Sequence, residues 1–282
     1  MQQRKIALIT GGSSYLGQHL TARAGQAYSV HTTYHNHPDQ IKAGHPLPLN
    51  LGSRAAVLRL IDMLAPEAII HIAAINPGGS EREMMQINAE GTRYIAEGAV
   101  KVGARLVFVS TDVVHNGQQA PYDDDALPAP INLYGRSKAA AEAAIRELDP
   151  QAAIVRTSLI YGLEQMDRGT AGFVKRLQSG QPLVLFSDVI RQPVWVKTLN
   201  EALLKLVELD FAGTLNVAGR QAMSREEFGR RMLDWWQVDS RDLLKSGRAG
   251  DVSLTIPLDL RLTTAKAEQV LQMSLPGVVE VL

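Results

Sequence analysis

Cysteine is absent from the 282 residues, which removes disulfide frameworks, thiolate nucleophiles and thiolate-held zinc or iron–sulfur centres, and fits a reducing compartment. Net charge is absent too. Lysine and arginine number 29 against 29 aspartates and glutamates, so no global field draws in a nucleic acid or an anionic membrane, and any anion must be held locally. Long apolar runs are also missing: Arg4 and Lys5 precede only Ile6 to Ile9 before Gly11, shorter than the roughly 7–15 residues of a signal-peptide core. Nothing later approaches the roughly 20 residues of a membrane-spanning helix. A soluble, cytoplasmic chain with a small-molecule substrate is expected, without nucleic acid or membrane partner, and redox chemistry in it needs a borrowed cofactor.

Short runs rich in Ile, Val and Leu alternate with segments of 3.6-residue periodicity, the cadence of βαβ units. Strands are expected over Lys5–Thr10, Tyr28–Tyr34, Leu47–Leu51, Ala68–Ala73, Arg105–Ser110 and Ala152–Thr157. Helices are expected over Tyr15–Ala24, Arg54–Leu64, Glu81–Val102 and Leu133–Glu147. The fold class is α/β: a doubly wound parallel Rossmann sheet with helices on both faces and a smaller C-terminal substrate lobe. Residues 1–160 form the dinucleotide-binding domain, completed by about 196–217, and 161–195 with 218–282 form the lobe. Within these, Thr198–Leu209 and Ser224–Trp236 read as helices, the latter capped by Ser224 with Glu227 closing a capping box. The helix Glu81–Val102 is a candidate homodimer face, or else is buried within one chain.

Thr10-Gly11-Gly12-Ser13-Ser14-Tyr15-Leu16-Gly17 follows an apolar strand and opens a helix, where backbone amides and the helix dipole attract a phosphate. Gly11 makes the tight turn and Gly17 lets the helix lie close to the sheet, with Ser13, Ser14, Tyr15 and Leu16 between them. The plainer alternative is an ordinary strand-to-helix turn. Where an NAD-selective chain places an acid at the end of its second strand, this one has Tyr34-His35-Asn36-His37, so an adenosine 2′-phosphate meets no fixed negative charge. NADP(H) is therefore expected ahead of NAD(H), with His35 either a cofactor contact or a surface histidine.

Tyr134 and Lys138 stand four residues apart, on one face of a helix. An ammonium near a phenol favours its ionised form and tunes it for proton transfer, which suits carbonyl reduction. Leu106-Val107-Phe108-Val109 runs into Ser110-Thr111-Asp112, which places hydroxyls at the carboxyl edge of a parallel sheet. Thr111 then orients the same carbonyl oxygen as Tyr134, or merely caps the next turn.

Several motifs in order carry a resemblance: Thr10-Gly11-Gly12 to Gly17, His71-Ile72-Ala73-Ala74, Asn88, Ser110-Thr111-Asp112-Val113-Val114, Tyr134 to Lys138, Arg156-Thr157-Ser158 with Ile160-Tyr161-Gly162, and Pro257-Leu258-Asp259 before Leu262 and Lys266. The chain resembles an extended short-chain dehydrogenase/reductase, most closely the dTDP-4-dehydrorhamnose reductase branch, nearly end to end. The resemblance implies Thr111, Tyr134 and Lys138 as the catalytic trio, with Tyr134 and Lys138 also at the cofactor. It implies Ala73 and Ala74 along the cofactor, Asn88 supporting the site, and Asn50 with Leu51 near the adenine, where the family often has an aspartate. Ser14 replaces the loop's middle glycine. Asp112, His115 and Arg191 are the candidate substrate contacts. His115 occupies an aromatic position of the reductases, and Arg191 either clamps a diphosphate or pairs with an aspartate such as Asp188. No metal is expected. The implied activity is NADPH-dependent reduction of a 4-keto nucleotide sugar. Dehydration loses its acid because Val113 follows Asp112, while a nucleotide-sugar epimerase or a non-catalytic NAD(P)-binding regulatory subunit are the alternatives.

Overall fold

The computed structural model describes residues 4–239 and 242–282. Seven strands form one sheet: β1 (Ile6–Thr10), β2 (Ser29–Tyr34), β3 (His45–Pro48), β4 (Ala68–His71), β5 (Arg105–Thr111), β6 (Ala153–Thr157) and, after a long excursion, a strand at Gly213–Asn216. Their order is last–β6–β5–β4–β1–β2–β3, and every neighbouring pair is parallel. The chain winds outward in both directions from β1 and β4, so a crevice opens where the winding reverses, at the carboxyl ends of these strands.

Strand residues alternate between two cores because successive side chains point to opposite faces. Ala7, Ile9, Val107, Val109, Ala153 and Val155 pack on one side, and Leu8, Leu106, Phe108 and Ile154 on the other. The first face is covered by α1 (Tyr15–Ala24) and by a helix at Val196–Glu208. The second is covered by α2 (Arg54–Leu64), by the run from Glu81 to Val102, and by a helix at Leu133–Leu148. Both faces being buried accounts for the near-continuous apolar strands.

The helix expected over Glu81–Val102 is three pieces: α3 (Glu81–Met84), a wider π turn at Met85–Glu90, and α4 (Gly91–Val102). A reciprocal capping box of Ser80 and Glu83 starts it. The π turn carries Asn88, consistent with the tendency of such turns to sit at functional sites. The third strand begins and ends earlier than expected, at His45-Pro46-Leu47-Pro48. An edge strand tolerates two prolines, and Asn50 then turns the chain by accepting from the Gly52 amide.

α5 (Leu133–Leu148) leads into β6, after which the chain leaves the sheet. There follow β7 (Ile160–Tyr161), α6 (Arg168–Gln178), β8 (Leu183–Phe186), β9 (Ile190–Arg191), β10 (Val194–Trp195), α7 (Val196–Glu208) and β11 (Gly213–Asn216), the strand that returns beside β6. β12 (Met223–Ser224), α8 (Arg225–Trp235), β13 (Leu244–Gly247), α9 (Ala265–Leu271) and α10 (Val278–Val281) complete the chain. β12 runs antiparallel to β9, and β13 parallel to β8. Ser224 caps α8 by accepting from the Glu227 amide at 3.0 Å, but the box expected there is not closed: the Glu227 carboxylate pairs with Arg231 one turn on.

Candidate active site

At the carboxyl edge of the sheet lies a cleft of about 1440 Å³, above the roughly 300–1,000 Å³ of a single small-molecule pocket and so roomy enough for a cofactor and a substrate together. The glycine loop walls one end. Gly11 adopts φ +77°, and a Cβ there would meet the Ala73 backbone at 2.9 Å; a Cβ on Gly17 would lie 2.2 Å from the Gly11 carbonyl. No other residue type permits that closeness. Ser13, Ser14, Tyr15 and Leu16 line the cleft, and the first amides of α1 have no intrahelical acceptor. The Ser14 side chain turns back to accept from the Gly17 amide at 3.1 Å, so it caps the helix rather than crowding the space in front of it. Such a cradle of glycines and helix amides fits a pyrophosphate.

A buried relay ties this loop to α5. Thr92 gives its hydroxyl proton to the Asn88 carbonyl at 2.6 Å, so the His71 Nε2, 2.9 Å from the Thr92 oxygen, must be the donor there. His71 Nδ1 is then an acceptor and takes the proton of the Thr10 hydroxyl at 2.6 Å, leaving the Thr10 oxygen to accept from the amides of Ile72 and Ala73. Burial pushes the His71 imidazole down to about 3, with the Lys138 charge adding to it, and the ring is neutral. Asn88 Nδ2 donates to Ser137, whose hydroxyl donates to the Tyr134 carbonyl at 2.8 Å.

Thr111, Tyr134 and Lys138 all line the cleft. β5 ends at Thr111, and Asn132 caps α5, which begins at Leu133 and so holds Tyr134 and Lys138 a turn apart. Lys138 is fully enclosed: its ammonium donates to the Val109 carbonyl at 2.9 Å and lies 4.1 Å from the centre of the Phe108 ring. Burial pushes it down to about 7, partly offset by Glu142. Burial, with the Asp112 charge behind it, pushes the Tyr134 phenol up to about 12. That reverses the sequence-based expectation of a phenol tuned toward ionisation. Thr111 donates to its neighbour Asp112 at 3.2 Å and accepts from the Val113 amide, so it caps the turn after β5 as well as facing the cleft.

Asp112 forms the buried floor of the substrate side. Ser158 donates to it at 2.7 Å, the Arg191 guanidinium stands 3.8 Å away, and burial raises its carboxyl above the ordinary aspartate range. Arg191 lines the cleft but is not a free clamp: its partner is Asp112 rather than Asp188, and its terminal nitrogens donate to the carbonyls of Ile190, Leu258 and Pro257. Asp188 instead caps the turn at Ala249.

Four expected contacts stand elsewhere. His115 is buried away from the cleft, stacked on Tyr122 with ring centres 4.0 Å apart and pushed down to about 4 by burial and Arg156; a residue packed this way cannot reach a substrate. His35 is exposed outside the cleft, and it is His37 and Gln40 that line it. Asn50 is exposed in its turn, and Leu51 is buried against Gly91. Ala74 lines the cleft, while Ala73 backs Gly11. Sequence reasoning missed His37, Ser158 and Arg225 as site residues; the first had a signal in the same His-Asn-His stretch and the second in the Arg156-Thr157-Ser158 motif, and the third had none.

A family model described as the RmlD substrate binding domain matches residues 4–276. The methionine adenosyltransferase 2 subunit beta of Xenopus laevis is 32% identical over 207 residues, covering 69% of this chain and 62% of that protein, so the match spans under two thirds of that relative. The dTDP-4-dehydrorhamnose reductase of Mycobacterium tuberculosis is 31% identical over 229 residues, 77% of this chain and 71% of the relative. The crystal structure of dTDP-4-dehydrorhamnose reductase from Bacillus anthracis in complex with NADP superposes with a TM-score of 0.82 at 25% identity, covering 98% and 96% of the two chains. With nearly its whole length matched, the chain belongs to the RmlD substrate binding domain family, in the reductase-like branch of the extended short-chain dehydrogenases.

Proposed function

We propose that the chain is an NADPH-dependent reductase of a 4-keto nucleotide sugar. The observation that carries this reading is that Thr111, Tyr134 and Lys138 line one cleft whose end is walled by the Gly11–Gly17 loop. Reduction of a carbonyl ends with a proton on oxygen, and a neutral phenol is the donor that step requires. Bound NADPH supplies the hydride. Lys138, one helical turn away, carries the charge that steadies the tyrosinate left behind, and Thr111 steers the carbonyl oxygen by transferring its hydrogen bond from Asp112 to the substrate. The segments 161–195 and 218–282 are assigned to the substrate lobe and residues 1–160 with about 196–217 to the dinucleotide-binding domain, although Ala267 and Leu271 of α9 pack into the first core of the sheet.

Support for the cofactor comes from the glycine cradle, the absence of an acid at the end of β2, and the NADP complex of the Bacillus anthracis relative. The likeness to dTDP-4-dehydrorhamnose reductases favours reduction over epimerisation. The likeness to the methionine adenosyltransferase subunit favours a second reading, a non-catalytic regulatory chain. Incubation with NADPH and a panel of keto nucleotide sugars, followed at the nicotinamide absorbance, separates the two: turnover supports the reductase, and NADPH binding with no turnover on any of the panel favours the regulatory chain.

A further inference from the structure

Four arginines line the cleft, Arg136, Arg168, Arg191 and Arg225, and the last two are neighbours in the fold. The antiparallel pairing of β9 with β12 brings them together: Met223 lies opposite Arg191, Ser224 opposite Ile190, and the Arg225 amide donates to the Val189 carbonyl at 2.8 Å. Arg191 is spoken for by three carbonyls and Asp112. The guanidinium of Arg225 has neither a hydrogen bond nor an ion pair within 4.0 Å among the described residues; the Asp112 charge is the attraction it feels, and Arg191 repels it. Both arginines draw on Asp112, and Asp259, the other carboxylate acting on Arg191, is itself held by Arg261, which leaves one positive charge uncompensated.

Its place on the helix makes this worse. Arg225 is the first residue of α8, the positive end of the helix, where a cation is disfavoured. The acids of that first turn give no relief, because Glu226 pairs with Arg230 and Glu227 with Arg231. A cation left without a partner is costly where it is largely enclosed, and an arriving oxyanion would meet the guanidinium fork.

We propose that Arg225, rather than the tethered Arg191, is the residue that anchors the substrate's diphosphate, receiving a phosphate oxygen at the start of α8. The proposal rests on the nucleotide-sugar reading above and deepens it by naming the group that selects for the diphosphate.

Binding of UDP and dTDP, with uridine and thymidine as phosphate-free controls, is measured for the wild type, Arg225→Met and Arg225→Lys, alongside NADPH binding and thermal melting. Arg225→Met is expected to weaken both diphosphates about 30-fold and leave the nucleosides and NADPH unchanged, with Arg225→Lys recovering part of the loss. The melting temperature holds or rises, because a repulsion is removed; in turnover assays KM rises more than kcat falls. Unchanged diphosphate binding in Arg225→Met, or a fall in melting temperature with no change in binding, overturns the anchor alone. A wild type that takes NADPH and no nucleoside diphosphate overturns the nucleotide-sugar reading and the anchor with it.

Discussion

The Lys138 ammonium donates a hydrogen bond to the Val109 main-chain carbonyl and rests on the Phe108 ring, with no carboxylate within 4.0 Å among the described residues. Below about pH 7 the folded and unfolded chains both carry this proton, and the full penalty of burying the charge applies. Between about 7 and the ordinary lysine value of 10.5 the folded chain has released it and the unfolded chain has not, so the protein gains stability as pH rises. Lys138→Met is accordingly expected to melt higher than the wild type at pH 6, with the advantage shrinking by pH 9, while turnover is lost. A variant melting below the wild type at pH 6 contradicts this.

Tyr134→Phe removes the proton donor and nothing the cofactor cradle needs. NADPH binding, followed by fluorescence, stays at the wild-type level, and turnover falls by about 10²–10⁴-fold. An unchanged rate assigns the acid to another group.

His71 is locked neutral between Thr10 and Thr92, and its value of about 3 in the fold against 6.5 outside it makes the unfolded chain the better proton acceptor between those limits. Stability is therefore lost as pH falls through that window, by about 2 kcal/mol at pH 5 from this one ring. Urea titrations at pH 7 and pH 5 measure the loss. It is smaller in His71→Gln, whose amide can accept from one threonine and donate to the other; an equal loss in both chains assigns the acid sensitivity elsewhere.

His37 lines the cleft at the end of β2 where a dinucleotide's adenosine ribose is expected. His37→Asp sets a negative charge against a 2′-phosphate and weakens NADPH about tenfold with little change for NADH. Comparison of the two dissociation constants checks it, and a parallel loss of both cofactors places the adenosine end elsewhere.

The doubly wound sheet was legible because the alternation of apolar runs with helical periodicity and the Gly11–Gly17 loop are local signals; helical spacing put Tyr134 and Lys138 on one face, and it took the Ser110-Thr111 strand end and the family resemblance to single them out. What escaped depends on contacts distant in sequence. Arg225 looks like an ordinary arginine opening a charged helix until β12 aligns with β9. Arg191 reads as free until the carbonyls of Pro257 and Leu258 fold over it. His115 reads as a loop histidine until Tyr122 stacks on it. The direction in which the Tyr134 phenol shifts was not legible because spacing shows a neighbouring cation and not the enclosure around it, and in the ligand-free fold burial raises it.

The return of β11 to the edge of β6, with α7 packed across the first core, makes the central sheet discontinuous in sequence. During translation the strands up to Thr157 leave the ribosome with Val107, Val155 and their neighbours still uncovered. They wait for more than fifty further residues before the closing helix and strand arrive. A fragment ending after β6 therefore exposes an oily flank and is prone to clump, and the first half of this chain is a poor candidate for expression by itself.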